Sequence, residues 1–197
     1  MSRARIAVLF YGALAAAAFA WGWLRGDLVL WEDPALLEAT TPVRIAASLA
    51  LGLARGGATV GLTRVVTPRF RWARELHGEF RALLGPLTDG EILTFALCSG
   101  ISEELFFRGA MQPVLGLVPT AVVFGAIHIP PDRRLWAWSL WAGVMGLLFG
   151  GIVALTGQLL GAVVAHVLIN YLNLRFIRDV VPPGTGAPPA TAPPPTR

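Results

Sequence analysis

Long apolar runs alternate with short polar stretches along most of the chain. Six apolar segments can be drawn, and each is close to the length of about 20 residues that a helix needs to cross a bilayer core. They lie at 6–24, 43–63, 91–112, 114–129, 135–156 and 158–177, and the third and fourth are compatible with one bent unit. The pattern predicts an all-α fold, a polytopic membrane helix bundle of about six transmembrane helices.

A more polar stretch between the second and third segments has the spacing of an amphipathic helix. Its large apolar side chains recur at helical spacing with arginines between them, and these apolar residues are Trp72, Leu76, Phe80 and Leu83. Thr67 and Pro68 are suited to the N-cap and the first turn of this helix. We therefore expect an interfacial amphipathic helix over 67–87 at the cytoplasmic surface.

The same patterns divide the chain into four parts. They are the N-terminal transmembrane helices, the amphipathic helix, a helical core and a proline-rich tail, at 1–66, 67–87, 88–180 and 181–197. Thr88 and Glu91 form a capping-box pattern that starts the core. The tail carries too little apolar surface to fold, so we expect it to be disordered.

Composition indicates a membrane protein. With 55% hydrophobic and 14% charged residues, the chain is too apolar for an ordinary soluble domain. The formal net charge is +4, but the arginines stand at the ends of apolar runs, where they orient spans. We expect the lipid bilayer as a partner and no binding of nucleic acid.

The arginines also predict how the chain lies in the membrane. Arginine-rich stretches before the first segment, after the second, before the fifth and after the last mark cytoplasmic loops, whereas the acidic stretch 27–38 is expected outside. Both termini are therefore predicted to be cytoplasmic. All basic residues are arginines and alanine, glycine and proline are abundant, which indicates a GC-rich bacterial genome and hence a bacterial inner membrane.

The third apolar segment contains three charged residues in the stretch SGISEELFFRGAMQP. On a helix Glu104 and Arg108 face each other, whereas Glu103 lies about 100° away without a charged neighbour. A charge at a bilayer centre costs about 2.5–3.5 kcal/mol on insertion scales, so these residues indicate a functional site. We interpret Glu104 and Arg108 as a structural pair and Glu103 as a free carboxylate, able to act as a general base. The alternative places both glutamates at a helix end near the headgroups.

Polar residues also occur in the fourth and sixth segments. His128 precedes two prolines, and a single histidine near a helix end is more often structural than catalytic. His166 and Asn170 are four residues apart and share one face of an otherwise lipid-like helix, which is expected to face the bundle interior. Counted at about 1.5 Å per residue, Glu103 and His166 fall near mid-bilayer, so these residues can converge on one cavity.

Three short motifs occur in order along these helices. EELFFR has the form EExxxR, FGAIH the form FxxxH, and HVLIN the form HxxxN. Together they resemble the motifs of the CPBP family of intramembrane proteases, also called Abi proteins, which includes type II CAAX prenyl endopeptidases and bacteriocin-processing enzymes. The resemblance covers about 88–177, so the helical core is the expected catalytic core.

The resemblance implies hydrolysis of a peptide bond inside the membrane. Glu103 and His128 would activate a water, and His166 with Asn170 would stabilise the oxyanion. The substrate would be a membrane-anchored protein or peptide, such as a CAAX-like tail, a bacteriocin leader or a C-terminal sorting segment. The family has been treated both as metal-dependent and as glutamate-dependent, so the cofactor stays open between zinc and none. A zinc ion would have Glu103, His128 and His166 as ligands.

Three other functions compete with this one. A serine protease would need Ser99, Ser102 or Ser139 beside a histidine, but the chain lacks the GxSG pattern of rhomboid enzymes. A transporter or proton relay would also place a carboxylate and a histidine at mid-membrane, although no internal repeat supports it. A non-catalytic relative that acts as an immunity or scaffold membrane protein is the main alternative, because intact motifs permit hydrolysis without demonstrating it.

Overall fold

The computed structural model describes residues 2–129 and 133–182, and within these ranges it contains helices and no strands. The elements are α1 (Arg3–Arg25), α2 (Thr41–Arg69), α3 (Arg71–Leu84), α4 (Asp89–Glu104), a π-helical segment (Leu105–Met111), α5 (Gln112–Leu115), α6 (Leu117–Ile127), a 3₁₀ turn (Arg133–Leu135), α7 (Trp136–Thr156) and α8 (Leu160–Asp179). The predicted all-α membrane bundle is confirmed.

The number of membrane-spanning helices differs from the predicted six. Among the described residues four helices are long and apolar enough to cross a membrane, namely α1, α2, α7 and α8. The third predicted segment is divided, because its α-helix ends at Glu104 and the π-helical segment follows directly. The fourth predicted segment corresponds to α6, whose 11 residues rise only about 16 Å, roughly half of a hydrocarbon core.

Large apolar side chains cover the outer faces of the long helices. Leu24 is 77% exposed, Leu140 74% and Val122 65%. In water such side chains would form an apolar surface much larger than an ordinary soluble monomer carries. They are the surface that the lipid covers.

Small residues bring α2 and α8 close together. A Cβ atom on Gly52 would lie 2.2 Å from the backbone oxygen of Gly161, and one on Gly161 would lie 2.0 Å from that of Ser48. The Ser48 hydroxyl donates to the Gln158 carbonyl at 2.9 Å and accepts from the Gly161 amide at 3.0 Å. This crossing fixes α8, which carries part of the polar site, and it depends on residues without bulky side chains.

The loop between α1 and α2 closes one end of the bundle. Its backbone bonds to the turn between α7 and α8, with the Asp33 amide donating to the Gly157 carbonyl at 2.9 Å and the Leu37 amide to that of Leu155 at 2.8 Å. Gly157 has φ of +67°, and a Cβ atom there would lie 2.3 Å from the Asp33 oxygen. A larger residue at Gly157 would therefore separate the loop from the turn.

The amphipathic helix begins later than the sequence predicts. Thr67 and Pro68 belong to the last turn of α2, and Thr67 is buried there. The chain turns at Phe70, which is extended with φ of −112° and ψ of 132° and serves as the N-cap of α3. The N-cap role expected for Thr67 is therefore wrong, because a proline so close to a helix end removes little backbone bonding and does not stop the helix.

α3 lies against the end of α8. His77 Nε2 donates to the Val180 carbonyl at 2.9 Å, and Arg81 Nη1 donates to the Ile177 carbonyl at 2.8 Å. The exposed apolar residues Trp72 and Leu83 lie on other faces of α3. One side of α3 therefore packs on protein, and other sides of the helix are exposed.

The start of the core agrees with the sequence. Thr88 caps α4, and the backbone and side-chain bonds between Thr88 and Glu91 form the predicted capping box, which is confirmed. The end of the chain cannot be compared in this way, since the predicted disordered tail at 181–197 lies outside the described residues from position 183 onward.

Candidate active site

Polar side chains from three helices meet inside the bundle. Glu103 lies in the last turn of α4, His128 follows α6, and His166 and Asn170 lie on α8. All four line one cavity of about 590 Å³. The structure thus brings together the residues that the sequence selected for a water, a base and an oxyanion site.

Glu104 and Arg108 form an enclosed ion pair beside this cavity. Arg108 Nη1 lies 3.0 Å from Glu104 Oε1, and both side chains are 0% exposed. Arg108 Nη2 donates to the Gly146 carbonyl at 3.2 Å, and its guanidinium carbon lies 4.4 Å from the centre of the Phe124 ring. These contacts join α4 and the π-helical segment to α6 and α7. This geometry is expected of a structural ion pair, because either charge buried without its partner would strongly destabilise the fold.

His166 rests on the same carboxylate. Its Nδ1 lies 2.7 Å from Glu104 Oε1, and its ring stacks on Phe149 with a centroid distance of 5.2 Å. An ionised carboxylate only accepts hydrogen bonds, so the hydrogen is on Nδ1. Nε2 of the neutral ring then carries a lone pair, and it can donate only when His166 is an imidazolium.

His128 is fixed in the same tautomer by a different partner. Its Nδ1 lies 2.6 Å from the Phe124 carbonyl, which can only accept, so Nδ1 carries the hydrogen. The ring packs between Phe124 and Trp138 at centroid distances of 4.6 and 5.7 Å. Nε2 of the neutral ring therefore presents a lone pair to the cavity.

Glu103 faces both imidazoles. Its Oε2 lies 3.9 Å from His166 Nε2 and 4.0 Å from His128 Nε2. This oxygen is buried and has no hydrogen-bond partner among the described residues. The gaps are too long for direct hydrogen bonds, but a water about 2.8 Å from both atoms fits either one. The geometry can therefore hold a water against a carboxylate and an imidazole.

Asn170 is oriented by Ser99, a residue that sequence reasoning considered only as a nucleophile. Asn170 Nδ2 donates to Ser99 Oγ at 2.9 Å, and this hydroxyl donates to the Phe95 carbonyl at 2.7 Å. One amide hydrogen is thereby engaged and the second remains for a ligand in the cavity. Ser99 lies one turn before Glu103 on the same helix face, which is the spacing that could have identified it.

The remaining cavity wall is largely apolar and comes partly from the N-terminal helices. α1 contributes Ala7, Phe10 and Tyr11, and α3 contributes Phe80 and Leu83. The motif analysis did not select any of these residues, because nothing in their local spacing indicates a contact with α4 or α8. Helices from both halves of the chain thus line the site.

The zinc alternative can be compared with these distances. Within 2–129 and 133–182, no three His, Cys, Asp or Glu side chains are arranged to hold a metal ion. In both imidazoles Nδ1 is engaged, by Glu104 in His166 and by a carbonyl in His128. Glu103 Oε2 is 3.9–4.0 Å from the two Nε2 atoms. The engaged Nδ1 atoms leave both Nε2 lone pairs free, which is the usual arrangement of zinc-ligating histidines. The ligand chemistry therefore fits zinc, whereas the 3.9–4.0 Å separations exceed the about 3.4 Å between ligand atoms of one tetrahedral ion.

Fold and site together define a polytopic helical membrane protein with a cavity lined by Glu103, His128, His166 and Asn170. Residues 90–172 match the family described as type II CAAX prenyl endopeptidase Rce1-like. Every motif residue lies inside this range, and the resemblance predicted from the motifs is confirmed. The match covers this part of the chain, whereas α1 to α3 lie outside it.

One curated relative matches a stretch of the chain of similar length. Over 89 residues the chain is 32% identical to "Uncharacterized protein YpbD" of Bacillus subtilis (strain 168), which covers 44% of this chain and 46% of that protein. The chain therefore spans less than half of the length of this relative. No solved structure matches the chain.

Proposed function

We propose that the protein is an intramembrane endopeptidase that hydrolyses a peptide bond in a membrane-anchored protein or peptide. The placement of Glu103 carries this proposal. Its Oε2 is buried in a cavity, has no hydrogen-bond partner among the described residues and lies within about 4 Å of two imidazole nitrogens. A carboxylate so placed can activate a water for attack on a carbonyl carbon.

Glu103 is the general base in this reaction. It takes a proton from the water as the water oxygen bonds to the carbonyl carbon. His128 supports the water, because its Nδ1–H is held by the Phe124 carbonyl and its Nε2 lone pair can accept the second water hydrogen. The proton on Glu103 then passes to the departing nitrogen as the C–N bond breaks, which yields an acid and an amine.

Asn170 and His166 stabilise the oxyanion. Asn170 donates the amide hydrogen that Ser99 does not engage, and Ser99 fixes the direction of that donor. His166 donates from Nε2 in its imidazolium form, while its Nδ1–H rests on Glu104. Preorganised donors of this kind act mainly on the charge that develops in the transition state.

The apolar wall and the family match support the proposed substrate class. A CAAX-like tail, a bacteriocin leader or a C-terminal sorting segment each presents a peptide bond next to a membrane anchor. The aromatic and aliphatic lining from α1, α3 and α7 suits the apolar side chains or lipid of such an anchor.

Charge distribution supports the predicted orientation in a bacterial inner membrane. Arg3 donates to carbonyls at the end of α3, and Arg178 pairs with Asp89 at the start of α4. The arginine-rich ends of α1, α3 and α8 therefore lie together, while the acidic loop 27–38 contacts the opposite end. Cytoplasmic termini follow from the rule that arginine-rich ends stay inside.

The test uses purified protein in lipid vesicles and two fluorogenic reporters, a farnesylated peptide with a CAAX end and an unlipidated hydrophobic transmembrane peptide. We expect cleavage of at least one reporter by wild-type protein and by Glu91→Gln, and none by Glu103→Gln. Glu91 is the matched control, because it is a glutamate of the same helix that serves only in the capping box. Mass spectrometry of the products identifies the bond, and chelator should leave the rate unchanged.

The main alternative, a non-catalytic immunity or scaffold protein, gives the opposite result. Folded wild-type protein would then leave both reporters intact under all conditions. Cleavage that survives in Glu103→Gln would instead show that another residue, or a contaminant, carries the activity. Loss of the rate with chelator, together with stoichiometric zinc in the purified protein, would favour the metal-dependent mechanism.

A further inference from the structure

α1 lies outside the residues that match the protease family and still forms one wall of the cavity. Its buried face consists of small residues, Ala7, Ala18 and Gly22. Tyr11 lies on the same face, one turn after Ala7 and two turns before Ala18. It is the only residue of α1 that carries a hydroxyl group. The small residues let α1 approach α4, and the long tyrosine side chain extends into the space between them.

The end of the Tyr11 side chain reaches the polar site. Tyr11, Glu103 and Ser99 line the same cavity, and the Tyr11 hydroxyl interacts electrostatically with the other two side chains across it. Phe10 packs edge-on against the Tyr11 ring at a centroid distance of 5.1 Å, so the ring is supported from its own helix. A hydroxyl from the N-terminal helix thus stands next to the proposed base.

Glu103 lacks a donor from the residues that the motifs supply. The neutral imidazole of His128 presents a lone pair to it. His166 Nε2 donates only in the imidazolium form and lies 3.9 Å from Oε2, too far for a direct hydrogen bond. Arg108 uses Nη1 for Glu104 and Nη2 for a carbonyl, and its buried Nε has no hydrogen-bond partner among the described residues. A carboxylate accepts hydrogen bonds only, so a nearby O–H group is the kind of partner that would fix its direction.

We propose that Tyr11 is a positioning residue of the active site, whose hydroxyl donates to the Glu103 carboxylate and holds it facing His128 and His166. This inference rests on the proposed function and extends its site to a helix that the family match does not include. A hydrogen bond to a charged group orients the base from the side opposite to the water. The water-binding oxygen then points at the imidazoles in every turnover.

The first measurement compares Tyr11→Phe with Tyr171→Phe on the reporter that wild-type protein cleaves. Tyr171 is the matched control, because its hydroxyl accepts from Arg175 at 3.4 Å and does not line the cavity. We expect kcat to fall about 10- to 100-fold in Tyr11→Phe with KM within about twofold of wild type, and no change in Tyr171→Phe. An unchanged kcat in Tyr11→Phe would overturn the proposal, as would a loss explained by a lower thermal midpoint.

The second measurement does not require activity. The chain has 2 tyrosines, so Tyr171→Phe leaves Tyr11 alone, and a ¹³C label at its ring Cζ reports the state of the hydroxyl by NMR. Adding Glu103→Gln should shift this signal, whereas adding Glu91→Gln should not. If the signal does not shift in Glu103→Gln, the proposed contact between Tyr11 and Glu103 is rejected, whether or not the protein cleaves a reporter. A shifted signal in a protein without cleavage would keep the contact and reject the proposed function.

Discussion

Two adjacent glutamates have opposite surroundings. Glu104 is enclosed with Arg108 and His166, and its side chain has no exposed surface. Glu103 faces the cavity, and its Oε2 lies about 4 Å from two imidazole nitrogens. One carboxylate is bonded to donors from two helices, whereas the other has space for a water.

The difference shows that partners, rather than residue type or depth, separate a structural carboxylate from a reactive one. Both side chains are buried to a similar degree, with Glu103 at 7% and Glu104 at 0% exposure. A turn of about 100° along α4 is enough to direct them to different helices. The comparison can be tested by replacing each carboxylate in turn with an uncharged side chain.

The largest effect is expected at the open carboxylate. Glu103→Gln should abolish measurable cleavage, since a general base contributes about 10²–10⁴ to the rate and Glu103 also positions the water. Its thermal midpoint in detergent should equal that of wild type, because no ion pair is lost. Retained activity would move the base to Glu104 or reject the mechanism.

The enclosed carboxylate should respond in stability instead. Glu104→Ala should lower the free energy of unfolding by about 3–5 kcal/mol, because Arg108 stays buried without its partner. The double variant Glu104→Ala/Arg108→Leu serves as control and should recover part of this loss, since no single charge remains. Unfolding by denaturant in micelles measures both. A Glu104→Ala protein as stable as wild type would show that the ion pair has no structural role.

A smaller loss is expected at the oxyanion donor. Asn170→Ala should lower kcat about 10²–10³-fold and leave measurable turnover, because one donor of several is removed. KM should change little, since this donor acts mainly on charge formed in the transition state. Ser99→Ala should lower kcat less than Asn170→Ala does, because Ser99 only orients the Asn170 amide. Full inactivity of Asn170→Ala with unchanged folding would assign Asn170 to the water instead.

The smallest effect concerns α3, far from either glutamate. Burial lowers the pKa of His77, and the charges of Arg81 and Arg64 act in the same direction. The unfolded chain therefore binds more protons than the folded one as the pH falls below about 6.5, so stability is full above this value and decreases below it. We expect the thermal midpoint to fall between about pH 6.5 and 5 in wild type. A His77→Gln variant that shows the same fall would assign the effect to another group.

Local spacing was sufficient for part of the site. Glu104 and Arg108 contact each other because residues four apart share a helix face, and the capping box of Thr88 and Glu91 follows from the same local geometry. His166 and Asn170 likewise lie on one side of α8, toward the cavity. Each of these features depends on one helix only.

The spacing of residues along one helix could not predict contacts between different helices. The bond from His166 to Glu104 joins residues 62 positions apart, and the bond from Asn170 to Ser99 joins residues 71 positions apart. Hydrophobic periodicity identifies a buried face but does not say which residue of another helix it meets. The position of Tyr11 in the cavity could not be predicted for the same reason, because α1 has no polar pattern that indicates a contact with α4. The number of long apolar helices differs from the predicted number of spans for a related reason, because an apolar run does not show where its helix changes type.

The π-helical segment has a consequence for how such sequences are aligned. Each of its hydrogen bonds encloses one residue more than an α-helical bond, so the helix after Glu104 is out of phase with the helix before it. Positions beyond Met111 therefore cannot be assigned to a face by counting from Glu103 in steps of 3.6. A deletion of one residue between 105 and 111 would remove this offset, and an insertion of one residue would double it, without changing the motif at its start. In relatives of this chain, a one-residue gap at that point would mark a change of helix phase rather than a loss of the site.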